Sequence, residues 1–114
     1  MSPADPPSLT GRPTESAVLD AAKYGEVRLA EAILAAAAGL PLPVVERAAS
    51  LRSAKAVVSL AWRAGFSMRA AVALQALLTR LAPDALVRAD ADGGYPLSEE
   101  EMRWQLDFLT HTAR

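Results

Sequence analysis

The sequence predicts an all-α fold, a compact bundle of about five to six short helices packed as HEAT-like stacked helical hairpins. No segment alternates apolar and polar residues as a half-buried strand does. Alanine, the strongest helix former, fills about a fifth of the 114 positions. Gly, Pro and Ser interrupt the helical periodicity at short intervals, which favours short connections. A chain of this length can bury one core without a disulfide or a structural metal.

The first residues differ from the rest in composition. Residues 1–13 contain four prolines among Ser, Thr and Gly, a composition that buries too little apolar surface to order itself. We expect a flexible tail at 1–13 and a single helical domain at 14–114. The domain should open with a helix at Pro13-Thr14-Glu15 that breaks at Tyr24-Gly25. Its apolar stripe comprises Val18, Leu19, Ala21 and Ala22.

Helix-stop and helix-start residues predict four further helices before residue 82. Gly39 suits the left-handed position after a helix, Pro43 suits a first turn, and Ser53 and Ser67 suit the N-cap. The predicted helices are 26–38, 43–51, 54–64 and 68–81. Residues 38–42 and 64–68 share one pattern: the end of a helix, a Gly that stops it, an apolar residue and the start of the next helix. Stacked helical hairpins are expected to repeat such a pattern.

The last helix carries the strongest local signals. Ser98 and Glu101 have the spacing of a capping box, so the helix should begin at about Glu99. At 100° per residue, two separate apolar faces result. One face comprises Met102, Leu106 and Leu109, the other comprises Trp104 and Phe108, and Arg103 and Asp107 lie between them.

A helix that is exposed to solvent on one side needs only one apolar face to pack on the core. Large aromatic side chains are usually buried, so the simpler interpretation is that both faces are core. The alternative is a contact surface made by Trp104 and Phe108, with Arg103 at its rim, for another protein or a second copy of the chain. We predict this non-catalytic interaction module as the function.

The charges are segregated along the chain although the net charge is only −1. Every charged residue from Arg47 to Arg80 is basic, whereas acids dominate from Asp84 onward. Such segregation can steer a charged partner. We favour the other interpretation, in which the two segments neutralise each other across the fold.

Catalytic and metal-binding signals in the sequence are weak. We expect the protein to have no enzymatic activity and to bind no metal or cofactor. The absence of Cys excludes disulfides, thiolate zinc sites and Cys nucleophiles. His111, the only histidine, lies near the chain end, and no nucleophile–base pair is apparent. Residues 88–99 resemble part of a calcium loop, but Arg88 replaces the first carboxylate.

DNA binding is the alternative function. Residues 54–81 have the length and the Gly of a helix-turn-helix, and the residues that would contact nucleic acid are Arg63, Arg69, Gln75 and Arg80. These side chains are scattered among Ala, Val and Leu, whereas base readout needs several long polar side chains near the helix start. We therefore do not expect nucleic acid as a partner. We expect Gln75 to be a core amide whose side chain bonds to the backbone.

Several stretches together resemble a known family. They are Leu40-Pro41 with Val44-Val45, residues 61–69, 72–75 and 93–98, Met102, 104–106 and Phe108. They are similar to the C-terminal part of a mostly alphaproteobacterial family, domain of unknown function 2336, over about residues 15–109. The resemblance implies a helical, HEAT-like fold with no assigned activity or ligand, and longer relatives with additional repeats.

The sequence also predicts a cytoplasmic location. The first residues have neither the basic segment nor the apolar segment of a secretion signal. The longest uncharged run, residues 32–45, is interrupted by Gly and Pro and falls short of the about 20 apolar residues that span a bilayer. We expect no membrane partner.

Overall fold

The structure, a computed structural model, describes the backbone of residues 11–112 and the side chains of residues 14–111. Within these residues the chain forms six α-helices, one 3-10 turn and no β-strand, which confirms the all-α prediction. The helices are α1 (Gly11–Lys23), α2 (Val27–Ala38), α3 (Leu42–Ser50), α4 (Ala54–Arg63), α5 (Met68–Thr79) and α6 (Glu99–Thr112), with the 3-10 turn at Pro83–Ala85 between α5 and α6.

Helix α4 lies at the centre of the bundle. It packs against α2, α3, α5 and α6, and six consecutive residues, 56–61, are buried. A helix buried around its whole circumference is typical of a core position. The hydroxyl of Ser59, the polar residue in this stretch, donates to the Lys55 carbonyl at 2.8 Å.

The remaining helices pack on one another as neighbouring pairs, and four of them contact α4. Helix α1 packs on α2 and α5, α2 packs on α3, and α3 and α4 both contact α6. This pairing of consecutive helices is compatible with stacked hairpins. No helix in residues 11–112 combines the length and apolar character needed to cross a membrane.

Most helix boundaries follow the local signals in the sequence. Gly39 adopts a left-handed conformation with φ 70°, and the Gly39 and Leu40 N–H groups donate to carbonyls in the last turn of α2. The Ala56 N–H donates to Ser53 Oγ at 3.1 Å, which confirms the predicted N-cap of α4. Helix α1 begins at Gly11 rather than at Pro13, and residues 1–10 of the predicted tail lie outside the described residues.

Ser67 occupies the predicted N-cap position of α5, but the predicted capping hydrogen bond to its side chain is absent. The Ser67 hydroxyl makes no capping bond to α5 and instead donates to Glu15 Oε2 at 2.6 Å. The Ser67 N–H donates to the other oxygen of the same carboxylate at 2.8 Å. A side chain of α1 therefore accepts at the start of α5 and ties the two helices together.

Helix α5 also ends earlier than predicted. Arg80 takes a left-handed conformation with φ 56°, which stops the helix at Thr79 and leaves Leu81 outside it. The Arg52 guanidinium donates to the Thr79 carbonyl at 2.8 Å and to the Arg80 carbonyl at 3.1 Å. A cation at a helix C-terminus is favourable for the helix dipole, so this contact stabilises the end of α5.

Two partly buried contacts hold the loop that leads to α6. The Gln75 side chain donates to the Val87 carbonyl at 2.8 Å, and its carbonyl accepts from the Val87 N–H at 2.7 Å. The Tyr95 hydroxyl donates to the Phe66 carbonyl at 2.7 Å. Burial, and secondarily the charge of Glu15, raise the pKa of Tyr95, so the phenol remains a protonated donor. The start of α6 is thereby fixed relative to α4 and α5.

Candidate docking surface on helix α6

Helix α6 starts where the sequence predicts. The Glu101 N–H donates to Ser98 Oγ at 3.1 Å, which makes the first half of the capping box. The Glu101 carboxylate is directed along the helix, where it accepts from Gln105 Nε2 at 3.1 Å, rather than back to Ser98. The cap fixes the register of α6 and therefore which residues face the core.

The structure separates the two apolar faces of α6. Met102, Leu106 and Leu109 are 1%, 5% and 1% exposed, so this face is core. Trp104 is 59% exposed and Phe108 is 41% exposed. The simpler interpretation, with both faces buried, is wrong for the aromatic face, because α6 contacts the rest of the described bundle through one side.

We define the outer face of α6 as the stripe of residues at spacings of four, seven, eight and eleven from Glu100. Its members are Glu100, Trp104, Asp107, Phe108 and His111, with Glu101 at the edge, and all but Glu101 are exposed. The spacing places them on adjacent turns of one side of the helix.

The two aromatic rings of the outer face form a stacked pair. Their centroids are 5.6 Å apart and the ring planes differ by 9°. Offset stacking of this kind is a favourable arrangement for aromatic side chains. Each ring restricts the other, so this apolar surface is presented in a defined geometry.

Arg103, predicted at the rim of the contact surface, is engaged within its own fold. Its guanidinium forms an ion pair with Glu99 at 3.3 Å and lies 5.9 Å from the centroid of the Trp62 ring. It therefore stands on the flank of α6, between the outer face and α4.

The predicted neutralisation of the basic segment by the acidic one is not made by direct ion pairs. Arg103–Glu99 is the ion pair formed in the part of the chain whose side chains the structure describes, and both residues belong to α6. The carboxylates of the outer face are Glu100, Glu101 and Asp107, and a shallow groove joins the first two to Trp104 and Ser98. The His111 Nδ1 donates to the Asp107 backbone carbonyl, not to its carboxylate, at 2.7 Å.

One of the four residues predicted to contact nucleic acid is not accessible to it. Gln75 is fully buried and holds the Val87 backbone, so it cannot reach a base, which corrects its place in that set. Arg63, Arg69 and Arg80 are exposed, but Arg69 borders a cleft that also contains Glu15 and Asp20.

The calcium-like loop uses its first acid as a turn residue. Asp90 Oδ1 accepts from the Asp92 N–H at 3.0 Å and the Gly94 N–H at 2.9 Å. Such Asx turns are a common use of Asp in loops. Among the residues the structure describes, no three His, Cys, Asp or Glu side chains are grouped as a metal site requires.

Comparison with known protein families identifies the family of the chain. A family profile described as an uncharacterised protein conserved in bacteria, DUF2336, matches residues 7–100. The chain belongs to this family. The matched DUF2336 segment covers α1 to α5 and ends in the first turn of α6, so the match does not extend to Trp104 and Phe108. No curated protein and no solved structure matches the chain significantly.

Proposed function

We propose that this DUF2336 chain is a non-catalytic, cytoplasmic protein–protein interaction module that docks a partner on the outer face of α6. The observation that carries the proposal is the stacked Trp104–Phe108 pair, whose rings are 59% and 41% exposed on a helix whose other face is core. Exposed aromatic residues that lose their water on association are the usual hot spots of protein interfaces.

Other exposed apolar residues do not form a comparable surface. Tyr24 is 69% exposed and stands beside Lys23, whose Nζ lies 5.5 Å from the ring. Leu29 belongs to α2, whereas Leu42 and Leu51 lie at opposite ends of α3. Scattered single apolar residues are normal on protein surfaces. The outer face differs because two aromatic rings are in contact on adjacent turns.

We further propose that the bundle is a HEAT-like stack of hairpins. The support is the pairing of consecutive helices around α4, together with the repeated helix, Gly stop and helix start at residues 38–42 and 64–68. In such stacks, helix faces at the surface are the usual places for partner binding.

Removal of the indole should weaken association strongly and leave the chain folded. Trp104→Ala is expected to weaken partner binding by at least about 2 kcal/mol, the loss typical of a hot-spot residue. The measurement is quantitative co-purification of tagged full-length chain from its native cells, with the partner's affinity then determined by titration. Tyr24→Ala is the matched control, because it removes an aromatic ring that is more exposed than Trp104 and that lies outside α6, directly after α1.

Equal retention of the same partner by the parent, Trp104→Ala and Tyr24→Ala chains would contradict the proposal. The DNA-binding alternative predicts a different result: retention on duplex DNA at low salt that weakens steeply as salt rises and that is lost in Arg63→Ala or Arg69→Ala.

A further inference from the structure

The outer face of α6 carries charge as well as apolar surface, and the charge has one sign. Glu100 and Asp107 are exposed carboxylates on the same stripe as the aromatic pair, and Glu101 lies at its edge. The guanidinium nearest to them in sequence, that of Arg103, is directed to Glu99 and the Trp62 ring on the flank of the helix. The charged side chains on the same stripe as the aromatic pair are therefore carboxylates.

The groove at the start of the outer face brings the indole and carboxylates together. It is lined by Ser98, Glu100, Glu101 and Trp104. Aromatic rings attract cations over their faces, and carboxylates accept the hydrogen bonds that a guanidinium or ammonium group donates. A groove that combines both groups suits a basic side chain from outside the chain.

From this arrangement we infer the chemistry of the partner: a cationic, amphipathic protein segment. Its apolar residues pack on the Trp104–Phe108 pair, and its Arg or Lys side chains contact Glu100, Glu101 and Asp107. This inference rests on the proposed docking function and adds the charge and character of the occupant.

The same carboxylates disfavour other candidate partners for this face, namely a second copy of the chain, nucleic acid and anionic lipid. A two-fold pairing of α6 with α6 of a second copy would bring together two faces that both carry carboxylates and no described cation, and like charges across an interface are unfavourable. Nucleic acid and anionic lipid surfaces carry negative charge and are repelled for the same reason. A basic partner is the one that the face attracts, and attraction of this kind also accelerates association.

The experiment uses the full-length chain labelled with 5-fluorotryptophan. The chain has two tryptophans, Trp62 and Trp104, so two ¹⁹F resonances are expected, and Trp104→Phe assigns them. The probes are a synthetic 14-residue amphipathic peptide of arginine and leucine, the analogue with glutamine in place of arginine, and the analogue with glutamate.

The arginine peptide is expected to shift the Trp104 resonance saturably with a dissociation constant below about 1 mM. The glutamate peptide should produce no saturable shift, and the glutamine peptide should bind at least about threefold more weakly than the arginine peptide, given the modest strength of exposed ion pairs. Trp104→Ala, followed through peptide fluorescence anisotropy, should weaken binding of the arginine peptide at least about tenfold.

Charge removal on the outer face provides the decisive variant. The double variant Glu100→Gln and Asp107→Asn is expected to weaken binding about threefold to tenfold, because each exposed pair contributes a modest amount. The matched control is Glu26→Gln with Glu46→Gln, which removes two exposed acids from other elements and makes the same change in net charge. It should leave binding unchanged within about twofold, since screening limits charge effects to about 10 Å at 0.1 M salt.

Each alternative outcome overturns a separate statement. Equal binding of the arginine and glutamine peptides at Trp104, or equal loss in the two double variants, overturns the cationic partner and leaves the docking surface in place. Binding of the arginine peptide that Trp104→Ala does not weaken overturns both. A Trp104 resonance that moves with protein concentration alone shows self-association at this face and replaces the cationic partner by a second copy.

Discussion

Leu60→Ala is expected to destabilise the folded chain by about 3–5 kcal/mol, the loss typical of a leucine truncated inside a packed core. Leu60 is fully buried in α4, the helix on which α2, α3, α5 and α6 pack. Its truncation removes apolar contacts and leaves a cavity that neighbouring helices on several sides cannot all close. Since small domains are stable by only about 5–15 kcal/mol, a loss of this size is a large part of the total.

Urea unfolding followed by circular dichroism measures this effect. Leu29→Ala is the matched control, because Leu29 is a leucine of α2 that is 49% exposed, and it should change the free energy of unfolding by less than about 1 kcal/mol. Similar losses in the two variants would show that α4 is not the central helix of the bundle.

Gln75→Leu is expected to cost about 2–4 kcal/mol, since each orphaned buried polar group costs about 1–3 kcal/mol. The leucine is close in size to the glutamine but leaves the Val87 N–H and carbonyl without the two partners that they now have. The loop before α6 loses one of its two anchors, and the free energy of unfolding should fall accordingly. Gln105→Leu is the control, because that amide bonds to Glu101 at a less buried position, and it should cost less than about 1 kcal/mol.

A second substitution at the same position tests the chemistry of this contact. A carboxylate can accept from the Val87 N–H but cannot donate to the Val87 carbonyl, whereas a protonated carboxyl can do both. Gln75→Glu should therefore be destabilised more at pH 7.5 than at pH 4.5, each compared with the parent chain at the same pH. An equal loss at both pH values would contradict the two-bond contact.

Local signals in the sequence predict the elements of the fold because those signals act within one helix turn. Gly39 is left-handed after α2 as a helix-stop glycine should be, and Ser53 and Ser98 cap the helices that follow them. A cap is made by residues three apart in sequence, so the sequence alone contains it.

Contacts between distant residues were not predictable in this way. Ser67 has the sequence position of a cap, but Glu15, a residue of another helix, binds its hydroxyl and its N–H. Arg80 is left-handed, a conformation that favours Gly or Asn, and the Arg52 guanidinium holds the carbonyls on either side of this turn. Neither arrangement has a signal within its own segment, because both depend on how the helices pack.

In the candidate site, too, the local features were predictable from the sequence and the contacts between helices were not. Projection of α6 separates the Met102 face from the Trp104 face, and the structure confirms that separation. Projection does not show which face the bundle covers, since that depends on the position of α4. The direction of Arg103 towards Trp62 was also inaccessible to a local reading, because it joins two helices. The burial of Gln75 was predicted correctly from its apolar surroundings.

The central claim is that the outer face of α6 serves docking and is not needed to hold the fold. The measurement that tests it most directly is the free energy of unfolding of Trp104→Ala, with Leu106→Ala on the buried face of the same helix as the comparison. We predict that Leu106→Ala costs about 2–5 kcal/mol and that Trp104→Ala costs no more than about 1 kcal/mol, the scale of the lost aromatic stacking. A loss of about 3 kcal/mol or more in Trp104→Ala would mean that the indole belongs to the core, and would contradict the claim.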